Sequence, residues 1–216
     1  MKFTPLFIFI CVGLNAGANQ TPDLDKFKTP ITDFSYNTLS FEVDYMIELC
    51  EIYDDYFDLK IKGKQTEEKH GFASDKYKKY MSEKASFMEK SSQQLDAIIA
   101  KIGWPGIDKV GKKANIAAYY ILQEADLEKQ LATLPLVQAS VEEDNTPSVC
   151  LAYLVDRISL RQGQSQIYGT QIMRNPKTGE YQVAPIENKA DLNFIREGLD
   201  LIPMKDYVKQ WGIDWK

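Results

Sequence analysis

From Phe41 onward the apolar positions recur at steps of three and four: Phe41, Tyr45, Leu49, Ile52, Tyr56 and Leu59. Between them stand Glu42, Asp44, Glu48, Glu51, Asp54 and Asp58. That spacing, with the charge on the opposite side, predicts an amphipathic helix from about Ser40. Gly63 is expected to end it, leaving Lys64 to Ala73 as a charged loop that holds His70. A second long helix is predicted from about Asp75 to Ile102, with Tyr77, Met81, Met88, Leu95, Ile98, Ile99 and Ile102 on one face. Gly103 stops it. A short connection lets two such helices lie antiparallel, so residues 37–102 read as a helical hairpin.

Gly103-Trp104-Pro105-Gly106 is a turn with a mechanism, because Pro presets one central position and Gly accepts a positive φ at the next. Val110, Ala114, Ala117, Ala118, Ile121, Leu122 and Ala125 then form a small-residue helical stripe, and Leu127, Leu131 and Leu134 continue apolar to Pro135. Glu124 and Asp126 fall at the end of that helix, where carboxylates face the C-terminal carbonyls unfavourably. Either the helix runs on through Asp126 or the charge has a partner. Glu142 to Asn145 is a polar loop. Thr146 and Pro147 signal another helix start, followed by Leu151, Leu154, Val155 and Ile158 as its stripe and Gly163 as its end. Gln166 to Met173 and Tyr181 to Ile186 read as two strands around Asn175-Pro176-Lys177-Thr178-Gly179, with a bulge at Gly169 bringing Gln166 and Gln171 to one face. Two short helices, Ala190 to Glu197 and Pro203 to Trp211, close the chain. The fold class expected is mainly α, a helical domain with one small β-hairpin near its C-terminal end. Residues 103–216 pack with 37–102 as one domain.

The beginning of the chain has a different pattern. Lys2 precedes the run Leu6 to Leu14, and Ala16-Gly17-Ala18 supplies small residues at alternate positions, the signature of a cleaved secretory leader over residues 1–18. The run falls short of the roughly 20 apolar residues a bilayer span needs. No later stretch is long and apolar enough, so no transmembrane segment is expected in the mature chain. An exported protein of the periplasm or the cell exterior is the reading, with residues 19–36 an irregular lead-in rich in Thr, Pro and Asp.

The formal charge of -5 becomes -6 when Lys2 leaves with the leader, which argues against a nucleic-acid partner. Export also changes the meaning of the two remaining cysteines, Cys50 and Cys150, because disulfides persist outside the cytoplasm. A bridge between them would close about 100 residues and stabilise by on the order of 4 to 5 kcal/mol. Two buried free thiols is the alternative. The single histidine, His70, leaves no imidazole for a nucleophile's partner and no histidine-rich metal site, and neither a metal nor another cofactor is expected.

What remains is a set of polar residues at structured spacing: Gln123, Glu124, Asp126, Asp156, Arg157, Gln166, Tyr168 and Gln171. Several fall in motifs: Gly103-Trp104-Pro105, Val110-Gly111, Gln123-Glu124-Ala125-Asp126, Tyr153-Leu154-Val155-Asp156-Arg157, Gln166-Ile167-Tyr168-Gly169-Thr170-Gln171, and Gly198-Leu199 with Pro203 and Tyr207. In these the chain resembles a bacterial family known only as a domain of unknown function, over the half from Gly103 to Tyr207. Members of that family carry Gln-His-Ala-Asp where this chain has Glu124, and the present chain has extra residues between Leu199 and Pro203. The resemblance implies a candidate site and no reaction.

Two functions fit these residues. One is a binding or interaction protein whose polar site lies at the junction of helix and hairpin, with an envelope ligand or protein as partner; Gln123, Arg157, Gln166, Tyr168 and Gln171 are its binding residues. The other is a carboxylate-dependent hydrolase of envelope glycan or peptide, with Glu124, Asp126 and Asp156 as the catalytic candidates, since a glycosidase needs only two carboxylates suitably apart. Buried polar groups need partners whether or not they do chemistry, so a purely structural network is the alternative to both.

Overall fold

The computed structural model describes residues 42–175 and 178–215, together with the backbone of Ile8–Ile10. The lead-in, Phe41 and the rest of the expected leader lie outside the described residues. The fold is mainly α: α1 (Val43–His70), α2 (Asp75–Ile102), α3 (Ile107–Glu124), α4 (Leu127–Glu142), α5 (Ser148–Arg161), α6 (Leu192–Glu197) and α7 (Met204–Tyr207). A short 3-10 turn, Val208–Trp211, follows α7. Strands β2 (Ile172–Arg174) and β3 (Tyr181–Val183) form the expected hairpin, with Met173 opposite Gln182. A third strand, β1 (Ile8–Ile10), pairs antiparallel with β2. The sequence reading leaves these residues out of the fold; as an extended apolar run they continue the sheet at its free edge.

The chain forms two compact units, one spanning Ser40–Leu154 and the other joining Val155–Lys216 to Met1–Leu39. In the first, α1 packs on α3 and α2. Its core takes Leu49, Ile52 and Tyr56 from α1, Met88, Leu95 and Ile98 from α2, and the stripe Val110, Ala114, Ala117, Ala118, Ile121 and Leu122 from α3. Alanines along that stripe allow the close approach that the sequence suggests.

Helix α1 does not stop at Gly63 but continues to His70, which sits in its last turn. Gly63 is there for room: an ideal Cβ on it would stand 2.2 Å from Cζ of Tyr80. What reads as a helix stop is the point where α2 lays a ring against α1. The connection to α2 shrinks to Gly71–Ser74, and Ser74 caps α2 by accepting from Tyr77 N at 3.1 Å.

Gly111, at φ 76, breaks α3 into a first turn and a main helix. Helix α4 runs through Pro135 to Glu142. Its buried positions are Gln130, Thr133, Val137 and Ser140, whereas Leu131, expected inside, is 40% exposed. Gln130 goes inside because its amide donates to the carbonyls of Leu122 and Gln123, both at 3.0 Å, satisfying the open end of α3. The turn at Trp104 is held by Thr146, whose hydroxyl oxygen accepts from Trp104 Nε1 and Asn115 Nδ2, each at 2.9 Å. With both lone pairs taken, its proton goes to Ser140 Oγ at 2.8 Å. Cys50 and Cys150 are free thiols, Cys150 buried and Cys50 half-buried, so the bridge expected as one alternative is not formed.

Candidate functional site

The polar residues of the second unit build a clamped loop. Asp156, near the C-terminal end of α5, is fully buried. Its Oδ1 accepts from the backbone N of Ile167 at 2.7 Å and of Tyr168 at 2.9 Å. Its Oδ2 accepts from Thr170 N at 2.9 Å and Thr170 Oγ1 at 2.8 Å. Burial pushes the Asp156 carboxyl above its ordinary range, opposed by those four hydrogen bonds. A carboxylate offers about four lone-pair positions, and here each has a donor.

The other edge of the loop meets a cation. Arg196, also fully buried, donates from Nη1 to the carbonyl of Tyr168 at 2.6 Å and from Nε to that of Ile202 at 2.8 Å. Its guanidinium lies 4.8 Å from the ring centre of Tyr207, whose hydroxyl donates to the carbonyl of Thr170 at 2.7 Å. Gln166, with no exposed surface, accepts from Gln171 N at 2.8 Å and donates to the carbonyls of Gln171 and Ala184. Gly169 adopts φ +67, and a Cβ there would stand 3.1 Å from Met204 Sδ.

This geometry explains why the first strand begins at Ile172 and not at Gln166. The amides of residues 167, 168 and 170, which a β-ladder would need, are spent on Asp156, and Gly169 turns the backbone out of the extended region. No bulge is needed to bring Gln166 and Gln171 together; they meet across a loop. Tyr168 is half-buried, its hydroxyl pushed up by burial and by Asp156. Arg157 is buried beside Asp156 in sequence. Arg196 was absent from the sequence candidates, because one arginine in a six-residue helix carries no pattern.

The carboxylates at the end of α3 have separate destinations. The helix stops at Glu124, and Ala125 turns to ψ 167. Asp126 caps α4, its Oδ1 accepting from Lys129 N at 2.8 Å, and remains exposed. Glu124 accepts from Lys84 Nζ of α2 at 3.0 Å, the two side chains being 15% and 19% exposed. Of the two outcomes the sequence left open, the charge has a partner. Gln123, preceding it, is fully buried.

Glu124 and Asp126 line a cleft of about 390 Å³ whose other wall is α2: Met81, Lys84, Ala85, Met88, Glu89, Ser92 and Gln93. Lys84 Nζ also stands 6.0 Å from the centre of the Tyr56 ring, which anchors it from the core side. None of the α2 residues was a sequence candidate. The available signal was the helical spacing of Met81, Lys84, Ala85, Met88 and Ser92, which puts them on the face that Met81 and Met88 mark as apolar, but nothing in that spacing separates a cleft wall from core until α3 covers only part of the face.

Among the described residues no helix is long and apolar enough to cross a membrane. No curated protein and no solved structure matches the chain. Residues 55–213 match the model of a family described as a family of unknown function, DUF6624. With well over half of its length inside that match, the chain belongs to this family of unknown function.

Proposed function

We propose that this is an exported binding protein, of the periplasm or the cell exterior, whose ligand occupies the cleft between α2 and the junction of α3 with α4. The observation that carries the reading is the Lys84–Glu124 pair, 3.0 Å apart and partly shielded from water at the wall of that cleft. Small-ligand sites combine a concave apolar surface with a few placed polar groups, and Met81, Ala85 and Met88 supply the first while Lys84, Glu124, Ser92 and Gln93 supply the second. The loop at the helix-to-hairpin junction is set aside as the binding surface, because Asp156, Gln166 and Thr170 spend their hydrogen bonds on one another and on the backbone.

Hydrolysis is the second reading, favoured by two carboxylates, Glu124 and Asp126, lining one cleft. It has more to overcome. Asp126 is occupied as a helix cap, and Glu124 would have to leave Lys84 before giving up or taking a proton.

One experiment separates the readings. The purified protein and its Glu124→Gln variant are incubated with low-molecular-mass extracts of cell envelope and examined by native mass spectrometry. In parallel both are incubated with cell-wall sacculi and mixed oligosaccharides. An adduct on the parent that the variant lacks is expected. Fragments released by the parent alone would instead establish hydrolysis, and neither adduct nor fragments would sink both readings.

A further inference from the structure

Resting on the cleft reading, we propose that the ligand is an uncharged oligosaccharide, lying lengthwise along α2 with its hydroxyls on Glu89, Gln93 and Asp126.

The ammonium groups at the cleft are already matched from within. Glu124 meets Lys84 at 3.0 Å. Lys129 donates to the carbonyl and the hydroxyl of the lining residue Ser92, at 2.6 and 2.7 Å, and meets Asp96 at 2.6 Å. The two lysine side chains are 19% and 13% exposed. An anionic ligand has to draw one of them from its carboxylate while facing Glu89 and Asp126, and so strands a shielded charge. A cationic ligand finds carboxylates to meet, but Glu89 and Asp126 are exposed and hydrated, where an ion pair adds little. An uncharged ligand leaves both internal pairs intact.

What the lining still offers is hydrogen bonding beside an apolar strip. Glu89 accepts, and so does Asp126 at Oδ2, its Oδ1 serving Lys129 N. The Gln93 amide does both, and Lys84 has N–H to give beyond the one that goes to Glu124. Hydroxyls, which donate and accept, match that mixture. Met81 and Ala85 supply the surface for the C–H faces of sugar rings.

The shape of the wall favours several rings over one. Met81, Ala85, Glu89 and Gln93 recur every four residues, forming one row along α2 that is roughly 18 Å long at about 1.5 Å per residue. A peptide of that length brings main-chain amides and carbonyls that need partners. Along this row the backbone groups of α2 are spent within the helix.

The test is a glycan array of uncharged, acidic and basic oligosaccharides, with the purified protein detected through an affinity tag. Binding to uncharged glycans is expected, and it should change less than about twofold between roughly 0.05 and 0.5 M sodium chloride, since no ion pair is made or broken. Glu89→Ala and Ala85→Glu, both at exposed positions, should each weaken it at least about tenfold, with unchanged circular dichroism showing that the variants fold. Lys90→Ala, beside the row but outside the lining, should leave it unchanged. Preference for acidic or basic glycans, or binding that survives both Glu89→Ala and Ala85→Glu, overturns the proposal. No glycan bound while an envelope adduct still depends on Glu124 overturns the oligosaccharide and leaves the cleft reading standing. Absence of both removes the two together.

Discussion

Tyr80 lays its ring where a side chain on Gly63 would have to stand, with Cζ only 2.2 Å from the place of an ideal Cβ. The contact fixes how closely α1 and α2 approach. Gly63→Ala is therefore expected to destabilise by about 1 to 3 kcal/mol through overpacking, although alanine is intrinsically the better helix former by about 1 kcal/mol. Replacing Tyr80 by Leu in the same chain should recover part of the loss. Urea unfolding of the two single variants and the double variant measures this, and strict additivity would show that the two residues do not meet.

Asp156 holds together three backbone amides and a hydroxyl that have no place in a strand. Asp156→Ala leaves those buried donors without an acceptor and should cost on the order of 3 to 5 kcal/mol. Thr170→Val removes one donor of the four and should cost about 1 kcal/mol. Hydrogen exchange at the amides of Ile167, Tyr168 and Thr170 is the more direct measurement. Exchange in Asp156→Ala as slow as in the parent would mean that another group holds the loop.

The two carboxylates at the end of α3 should part company on substitution. Asp126→Ala removes the cap of α4 and is expected to cost about 1 kcal/mol of stability. Glu124→Gln keeps the shape and can still accept from Lys84 but leaves its shielded ammonium without a counter-charge, so it is expected to cost about 1 to 3 kcal/mol of stability and to remove the ligand as well. A thermal melt and a binding titration on each variant check the division. Loss of binding in both variants with loss of stability in neither would contradict it.

Free thiols give the protein a pH dependence with a definite sign. Burial pushes the Cys150 thiol well above its ordinary value, and Cys50 is raised by burial too, against the opposing pull of Lys113. In the unfolded chain a cysteine releases its proton near pH 8.5, while folded Cys150 still holds it. Its contribution is thus fully present below that pH and is lost as pH rises toward the folded value, by about 1.4 kcal/mol per pH unit. Urea midpoints at pH 7.5 and pH 10 should fall accordingly in the parent and fall less in Cys150→Ala. The same burial predicts that thiol reagents label Cys50 before Cys150, and an intact mass lower by two hydrogen atoms under oxidising conditions would show instead that the two had bridged.

Much of the helical architecture was legible beforehand. The stripe from Val110 to Ala125 is buried as its period requires, Ser74 and Gly103 bound α2, and the hairpin stands between Ile172 and Val183. These features are local: the spacing of apolar residues records which face loses water, and a turn residue acts within its own few bonds. Competition between distant groups is what the sequence could not resolve. Gly63 has the identity of a helix stop, yet Tyr80 needed its space; Gln166 to Gln171 has the composition of a strand, yet Asp156 and Arg196 claimed its amides and carbonyls.

The candidate site divides in the same way. The sequence picked out Asp156, Gln166, Gln171 and Glu124 as polar residues in need of partners, because they stand among apolar neighbours. Which of them are consumed by structure and which open onto a cleft depends on what α2 and α6 bring alongside. Lys84 and Arg196 supply that answer, and each lies far along the chain from the residue it meets. The helices, the hairpin and the polar residues that need partners were all readable before any tertiary contact was known, since those follow from local spacing. Tertiary structure alone decided that Asp156 is a clamp and that Glu124, held by Lys84, faces the cleft, because hydrogen bonds and ion pairs form between whichever groups packing brings within reach.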